Sequence, residues 1–128
     1  MPCIYSDHFS VEECRANPHQ IYVFGDNLDR HGTGGQAVIR YEPNVFGIPT
    51  KRYASMKQGA FFSDAPCERE HVLQALRDLY VIGRRHTLVF PSNGLGTGMA
   101  KMPEKSPLLY AEMCGILRNH FKIENVRK

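Results

Sequence analysis

A lysine closes an otherwise apolar run in this chain: Lys51 follows V-F-G-I-P-T, Val45 to Thr50. With Pro49 fixing its approach, an ammonium held in a half-buried pocket would lose hydration, its pKa would fall, and the free amine would be a nucleophile. An exposed lysine or a plain phosphate contact fits the same spacing. Two glycine-rich stretches suggest what such a group would act beside. One is the end of Y-V-F-G-D-N-L-D-R-H-G-T-G-G-Q-A, Tyr22 to Ala37, and the other is P-S-N-G-L-G-T-G, Pro91 to Gly98. Successive backbone N–H groups in such turns form a nest that suits a phosphate or diphosphate, and glycine lets the backbone approach the ligand closely. One glycine loop alone is more often a tight strand-to-helix turn. Two, joined by the strand-end I-P-T-K, point to a ligand.

The candidate contacts are Gly32, Thr33, Gly34 and Gly35 in the first loop and Ser92, Asn93, Gly94, Leu95, Gly96, Thr97 and Gly98 in the second. Asp26 and Asn27 would orient a ribose or base, or merely cap the turn. His31 fits an acid or base, or a solvated loop residue. Phe61 and Phe62 fit a stacking platform for a nucleobase as well as a hydrophobic plug for their own loop. Neither G-x-x-x-x-G-K-[ST] nor G-x-G-x-x-G is present, so a P-loop nucleotidase and a Rossmann dehydrogenase are not expected.

The elements that must position these residues alternate in type. Ser10 to Glu13 reads as a capping box for a short helix ending near Ala16. Ile21–Phe24, Val45–Ile48 and His86–Phe90 read as buried strands, and Ile123–Val126 as an added edge strand. Gln36 to Tyr41 allows only a brief helix. Apolar residues at three- and four-residue intervals predict helices over 64–82 and 106–121, with Asp64 and Pro66 starting the first. Residues 52–66 show neither period and form a long loop of the kind that often carries function. In open α/β sheets ligands bind outside the carboxyl ends of the strands, so both glycine loops and I-P-T-K should converge on one crevice.

Composition supports a single domain over residues 1–128. Charged residues make up 23% of the chain and hydrophobic ones 42%, near the globular average, which argues against disorder and against a membrane protein. M-P-C-I-Y-S-D-H-F does not resemble a signal peptide, so a cytoplasmic location is expected. Cys3, Cys14, Cys67 and Cys114 lack C-x-x-C or zinc spacing and read as free, mostly buried thiols; no metal and no cofactor are called for. A net charge of +3 is too small for bulk nucleic-acid binding and favours a small anion.

H-G-T-G-G-Q-A, V-F-G-I-P-T-K-R and L-V-F-P-S-N-G-L-G-T-G, in that order and before a final helix, resemble the macrodomains, specifically the branch of terminal ADP-ribose protein glycohydrolase and the antitoxin that removes ADP-ribose from DNA. The resemblance spans about Ile21 to Phe121. It implies a compact three-layer α/β fold with a central mixed sheet flanked by helices. It also implies that the two loops wrap the diphosphate and distal ribose of ADP-ribose, and that Lys51 attacks the anomeric carbon. The partner would be ADP-ribose or an ADP-ribosylated protein or nucleic acid, and the activity ADP-ribosyl hydrolysis. Two alternatives stay open: a non-catalytic module or sponge for ADP-ribose or a related signalling nucleotide, and a phosphatase acting on a phosphorylated ADP-ribose derivative. Some members carry an aspartate two residues beyond the last glycine, where this chain has Ala100.

Overall fold

The computed structural model describes residues 1–127. Four strands, β1 (Cys3–Ser6), β2 (Gln20–Asn27), β3 (Val45–Lys51) and β4 (Thr87–Pro91), form one sheet in the order β1-β4-β2-β3. Every neighbouring pair is parallel, so the sheet is not the mixed one expected. Antiparallel pairing among the described residues is limited to an isolated bridge between Lys51 and Phe61.

Topology dictates which face each connection covers. The chain moves toward the β3 edge in going from β1 to β2 and from β2 to β3, then back across β2 to reach β4. Right-handed crossovers running in opposite directions must lie on opposite faces. Accordingly α1 (Val11–Ala16) and the 3₁₀ turn Gly35–Ile39 bring Cys14, Ala37 and Ile39 against Tyr22, Phe24 and Val89. On the other face α2 (Pro66–Gly83) and α4 (Pro107–Ile116) pack Val72, Leu76, Leu79, Leu109 and Met113 against Val23, Ile48, Leu88 and Phe90. Strand alternation thus splits the β2 and β4 side chains between two cores.

Several elements differ from the sequence expectation. Helical backbone runs without a break from Pro107 to Phe121, close to the 106–121 expected, but α4 ends at Ile116, and an unexpected short α3 (Met102–Lys105) precedes it across Ser106, which is non-helical with φ −143° and ψ 63°. Pro107 lacks the N–H needed to join the two ladders. A π-type turn over Leu117–Phe121 follows α4 and buries both of its end residues. Ile123 to Val126 forms no strand. Lys122, at φ 60°, turns the chain, and the Asn125 amide then holds Leu95 by its N–H (2.9 Å) and its carbonyl (3.0 Å), as a strand backbone would. Of the four thiols only Cys14 is buried; Cys67 is exposed and Cys3 and Cys114 are half-buried.

Ser10 caps α1 through Glu13 N–H at 3.0 Å, but the Glu13 carboxylate accepts from Ser6 instead of closing the box. Asp64 serves a different helix from the one it precedes. Its carboxylate accepts from the N–H groups of Leu109 (2.8 Å) and Leu108 (3.3 Å), capping α4 and tying the long loop to it. Asp64 also holds a left-handed φ of 64°, which alanine adopts poorly. Asp64→Ala should therefore lower stability by about 1–2 kcal/mol in urea unfolding, while Asp64→Gly, which relieves the backbone but loses the cap, should lose less. Equal stability of all three proteins would remove the cap from the account.

Candidate functional site

A cleft of about 510 Å³ opens where the carboxyl ends of β2, β3 and β4 come together, within the ~300–1,000 Å³ typical of small-ligand sites. The connection leaving β2 heads for β3, whereas the chain leaving β4 starts on the other side of β2, so the two exits part and leave a crevice between them. Both glycine loops face it: Gly34 and Gly96 line the same cleft, with Lys51 and Ala54–Met56 forming a third wall.

Asp26 organises the first loop. It lies within β2, is 6% exposed, and would be costly there without cations. Arg40 grips its carboxylate with both terminal nitrogens, at 2.5 and 3.1 Å, and Arg30 adds a contact at 3.1 Å. The Asn27 N–H completes the set at 2.8 Å. Arg40 also donates to the carbonyls of Gly32 (2.7 Å) and His31 (3.3 Å), and its guanidinium lies 5.4 Å from the Phe24 ring centre. The Asn27 side chain closes on the His31 backbone, donating to its carbonyl at 2.7 Å and accepting from its N–H at 3.4 Å. Loop carbonyls are thereby pulled toward the arginine and the strand end, and the N–H groups of Gly32, Thr33 and Gly34 have no acceptor among the described residues.

The second loop turns on Gly94 and Gly96, at φ +92° and +76°. Thr97 donates to the Asn93 carbonyl at 2.6 Å, and Asn125 braces the loop from behind. Gln36 joins the two loops, accepting from Gly25 N–H at 2.8 Å and donating to the Gly94 carbonyl at 2.9 Å. The N–H groups of Gly96, Thr97, Gly98 and Met99 have no acceptor among the described residues. Such a row of free donors makes an anion-binding concavity.

Lys51 ends β3 on the cleft wall. Burial pulls its pKa below the ordinary lysine value, as an ammonium losing water requires. Its Nζ donates to the Ser55 carbonyl, approaches Met56 Sδ at 3.6 Å and lies 5.0 Å from the Phe61 ring centre. Lys105 reaches the same ring at 5.3 Å. Phe61 and Phe62 are themselves buried, packing the loop onto the core, so neither ring is open for a base to stack on. The loop is held from beneath by Glu68, which accepts from Arg52 and from the Ser63 N–H, each at 2.8 Å.

Of the residues singled out in the sequence, the cleft brings together Lys51, Asp26, Asn27, His31, Gly32, Gly34, Gly35, Asn93, Gly96, Thr97 and Gly98. Thr33 is exposed outside its lining, Leu95 is fully buried in the core, and Gly94 packs against Asn125 and Val126. The Ser92 backbone is bonded to Ser6 and Arg127, also away from the lining. Gln36, Arg40, Thr50 and Met99 line the cleft without having been singled out. A buried aspartate in a strand demands a cation, so Arg30 and Arg40 were in principle discoverable; nothing in the sequence marks Gln36 as a bridge.

Fold and site together define a small parallel α/β protein whose cleft, at the carboxyl edge of its sheet, is rich in free backbone donors. Within that class, residues 4–116 match the Family of unknown function (DUF7831), and the chain belongs to it; the match takes in β2 to β4, both glycine loops and Lys51. No curated protein and no solved structure is significantly similar to the chain. No described helix is long and apolar enough to cross a membrane, and no group of three or more His, Cys, Asp or Glu among the described residues is placed to hold a metal.

Proposed function

We propose that the cleft binds ADP-ribose and that the protein hydrolyses it from a modified protein or nucleic acid, on a macrodomain-like three-layer arrangement. The observation that carries this reading is the meeting of two donor-rich glycine loops with a lysine of lowered pKa in one cleft. The loops would fix the diphosphate, and the neutral Lys51 Nζ would attack the anomeric carbon. The bond to the acceptor breaks with its electron pair leaving on the acceptor, which takes up a proton. Water then displaces the amine and releases ADP-ribose.

The binding-module reading also has support. Asp26, the sole carboxylate among the described residues lining the cleft, is taken up by Arg30 and Arg40, and Ala100 supplies no acid, so none of the described residues offers the cleft a free carboxylate to activate water. Calorimetric titration separates these readings when followed by incubation with ADP-ribosylated protein and DNA. ADP-ribose should bind, ADP should compete and inorganic phosphate should hardly do so, because nest and ribose contacts must combine for useful affinity. Binding without release selects the sponge; no binding at all removes ADP-ribose from the account.

A further inference from the structure

We propose that Met56 is a methionine-oxidation site whose sulfoxide ties up the Lys51 amine, so that peroxide silences the lysine and a sulfoxide reductase restores it. The effect on the amine does not depend on what the cleft binds; its consequence, slower release of ADP-ribose, rests on the reading of Lys51 as the nucleophile.

The thioether is both open to solvent and in contact with the amine. Met56 is 52% exposed, so a small oxidant reaches its sulfur without any opening of the fold. Its Sδ stands 3.6 Å from Lys51 Nζ, a weak sulfur hydrogen bond, and both residues line the same cleft. Among the described residues Nζ has no carboxylate partner: it meets the Ser55 carbonyl, this sulfur and the Phe61 ring, which Lys105 also approaches. Arg52, next in the chain, is paired with Glu68, and Asp26 across the cleft is held by Arg30 and Arg40. Burial therefore acts on the ammonium with little to oppose it, and the lysine pKa falls. Met99, 56% exposed, is as open to oxidant, but its sulfur makes no hydrogen bond to Lys51 among the described residues.

Oxidation turns one of these partners from a weak acceptor into a strong one. The sulfur lone pair attacks a peroxide oxygen, the S–O bond forms as the O–O bond breaks, and the departing hydroxide takes a proton to become water; sulfur is oxidised and peroxide reduced. The product carries a polarised oxygen on the atom that already faces Nζ. An acceptor bonded to the charged form favours that form, and an ionised donor bonds it more strongly than a neutral one. Methionine is unbranched and flexible, so either sulfoxide epimer can turn its oxygen to the amine. The sulfoxide and the Ser55 carbonyl then hold Nζ as an ammonium, which is no nucleophile.

The test treats the full chain with dilute hydrogen peroxide, then with dithiothreitol to reverse disulfides and sulfenic acids. Labelling of Lys51 by trinitrobenzenesulfonate is followed without any ligand, and peptide mass spectrometry locates both the added oxygen and the label. Oxygen on Met56 should slow Lys51 labelling about fivefold or more at pH ~8 and move its pH profile upward, while Lys122 labels as before. Methionine sulfoxide reductases should restore the rate. Met56→Leu should label at the same rate before and after peroxide, and Met99→Leu should still be slowed by it. Undiminished Lys51 labelling on chains that carry oxygen at Met56, or equal slowing in oxidised Met56→Leu, would overturn the proposal. Release of ADP-ribose that persists while labelling falls would instead overturn the nucleophile reading and leave the modification standing.

Discussion

Lys51→Ala is expected to cut the release of ADP-ribose by at least about 10³-fold while leaving most of its affinity. An amine acting on the reacting carbon contributes in the transition state, whereas the free donors that would hold the diphosphate belong to other loops. Lys51→Arg should fail as well, because a guanidinium stays protonated at any working pH. If the ribosylamine formed on Lys51 opens its ring to an imine, borohydride should reduce it and trap the ligand on the parent protein and on neither variant. The pH dependence follows from the direction of the shift. Burial disfavours the charged form of Lys51, so its pKa in the folded state lies below that in the unfolded chain. The reactive amine then grows as pH rises toward that lowered pKa, and the rate should climb over the same range. Stability should move in the same sense: the unfolded chain binds the proton more tightly, so the penalty of burying the ammonium is present at low pH and is relieved as pH rises from the folded toward the unfolded pKa. Parental release by Lys51→Ala would remove the lysine from the mechanism. Loss of affinity together with activity would make it a phosphate contact.

Gly96→Val should be the most damaging change in the glycine loops. A Cβ at Gly96 would stand 2.3 Å from Met102 Sδ and 2.9 Å from its Cγ, and the backbone there holds φ +76°. Met102 is fully buried, so its inner atoms cannot swing clear. Left-handed strain and overpacking together should cost about 2–4 kcal/mol, read as a lowered urea midpoint. Gly34 makes the control, because its φ is an ordinary −79° and its Cβ would meet only the end of the exposed Met99 at 3.7 Å. Gly34→Ala should change stability by no more than about 0.5 kcal/mol. If Gly34→Ala folds as the parent does yet binds ADP-ribose poorly, the loop faces the ligand. If it binds equally well, the first loop is a structural turn. Parental stability of Gly96→Val would mean that the second loop does not need its glycine.

The short apolar runs of β2, β3 and β4 and the periodic apolar face of α2 are local patterns, and residues a few positions apart suffice to specify them. So do the glycine turns, whose backbone freedom is written in residue type. These features fix an alternating α/β chain, and the carboxyl-edge rule then places the loops on one side of the sheet. The sequence by itself therefore determined the class of fold, the region of the cleft and the position of Lys51 within it. Partner choice was decided by the tertiary structure. β1 is four residues long and its ladder lies across the chain on β4. Asp26 finds Arg40 across 14 positions, and Asp64 caps a helix 45 residues away while sitting beside the start of another. Asn125 replaces the expected edge strand with a side-chain clamp on Leu95. The physical reason is common to all four: a short polar or apolar segment has many complementary partners in the chain, and the one it takes depends on which of them the packed sheet brings within hydrogen-bond reach.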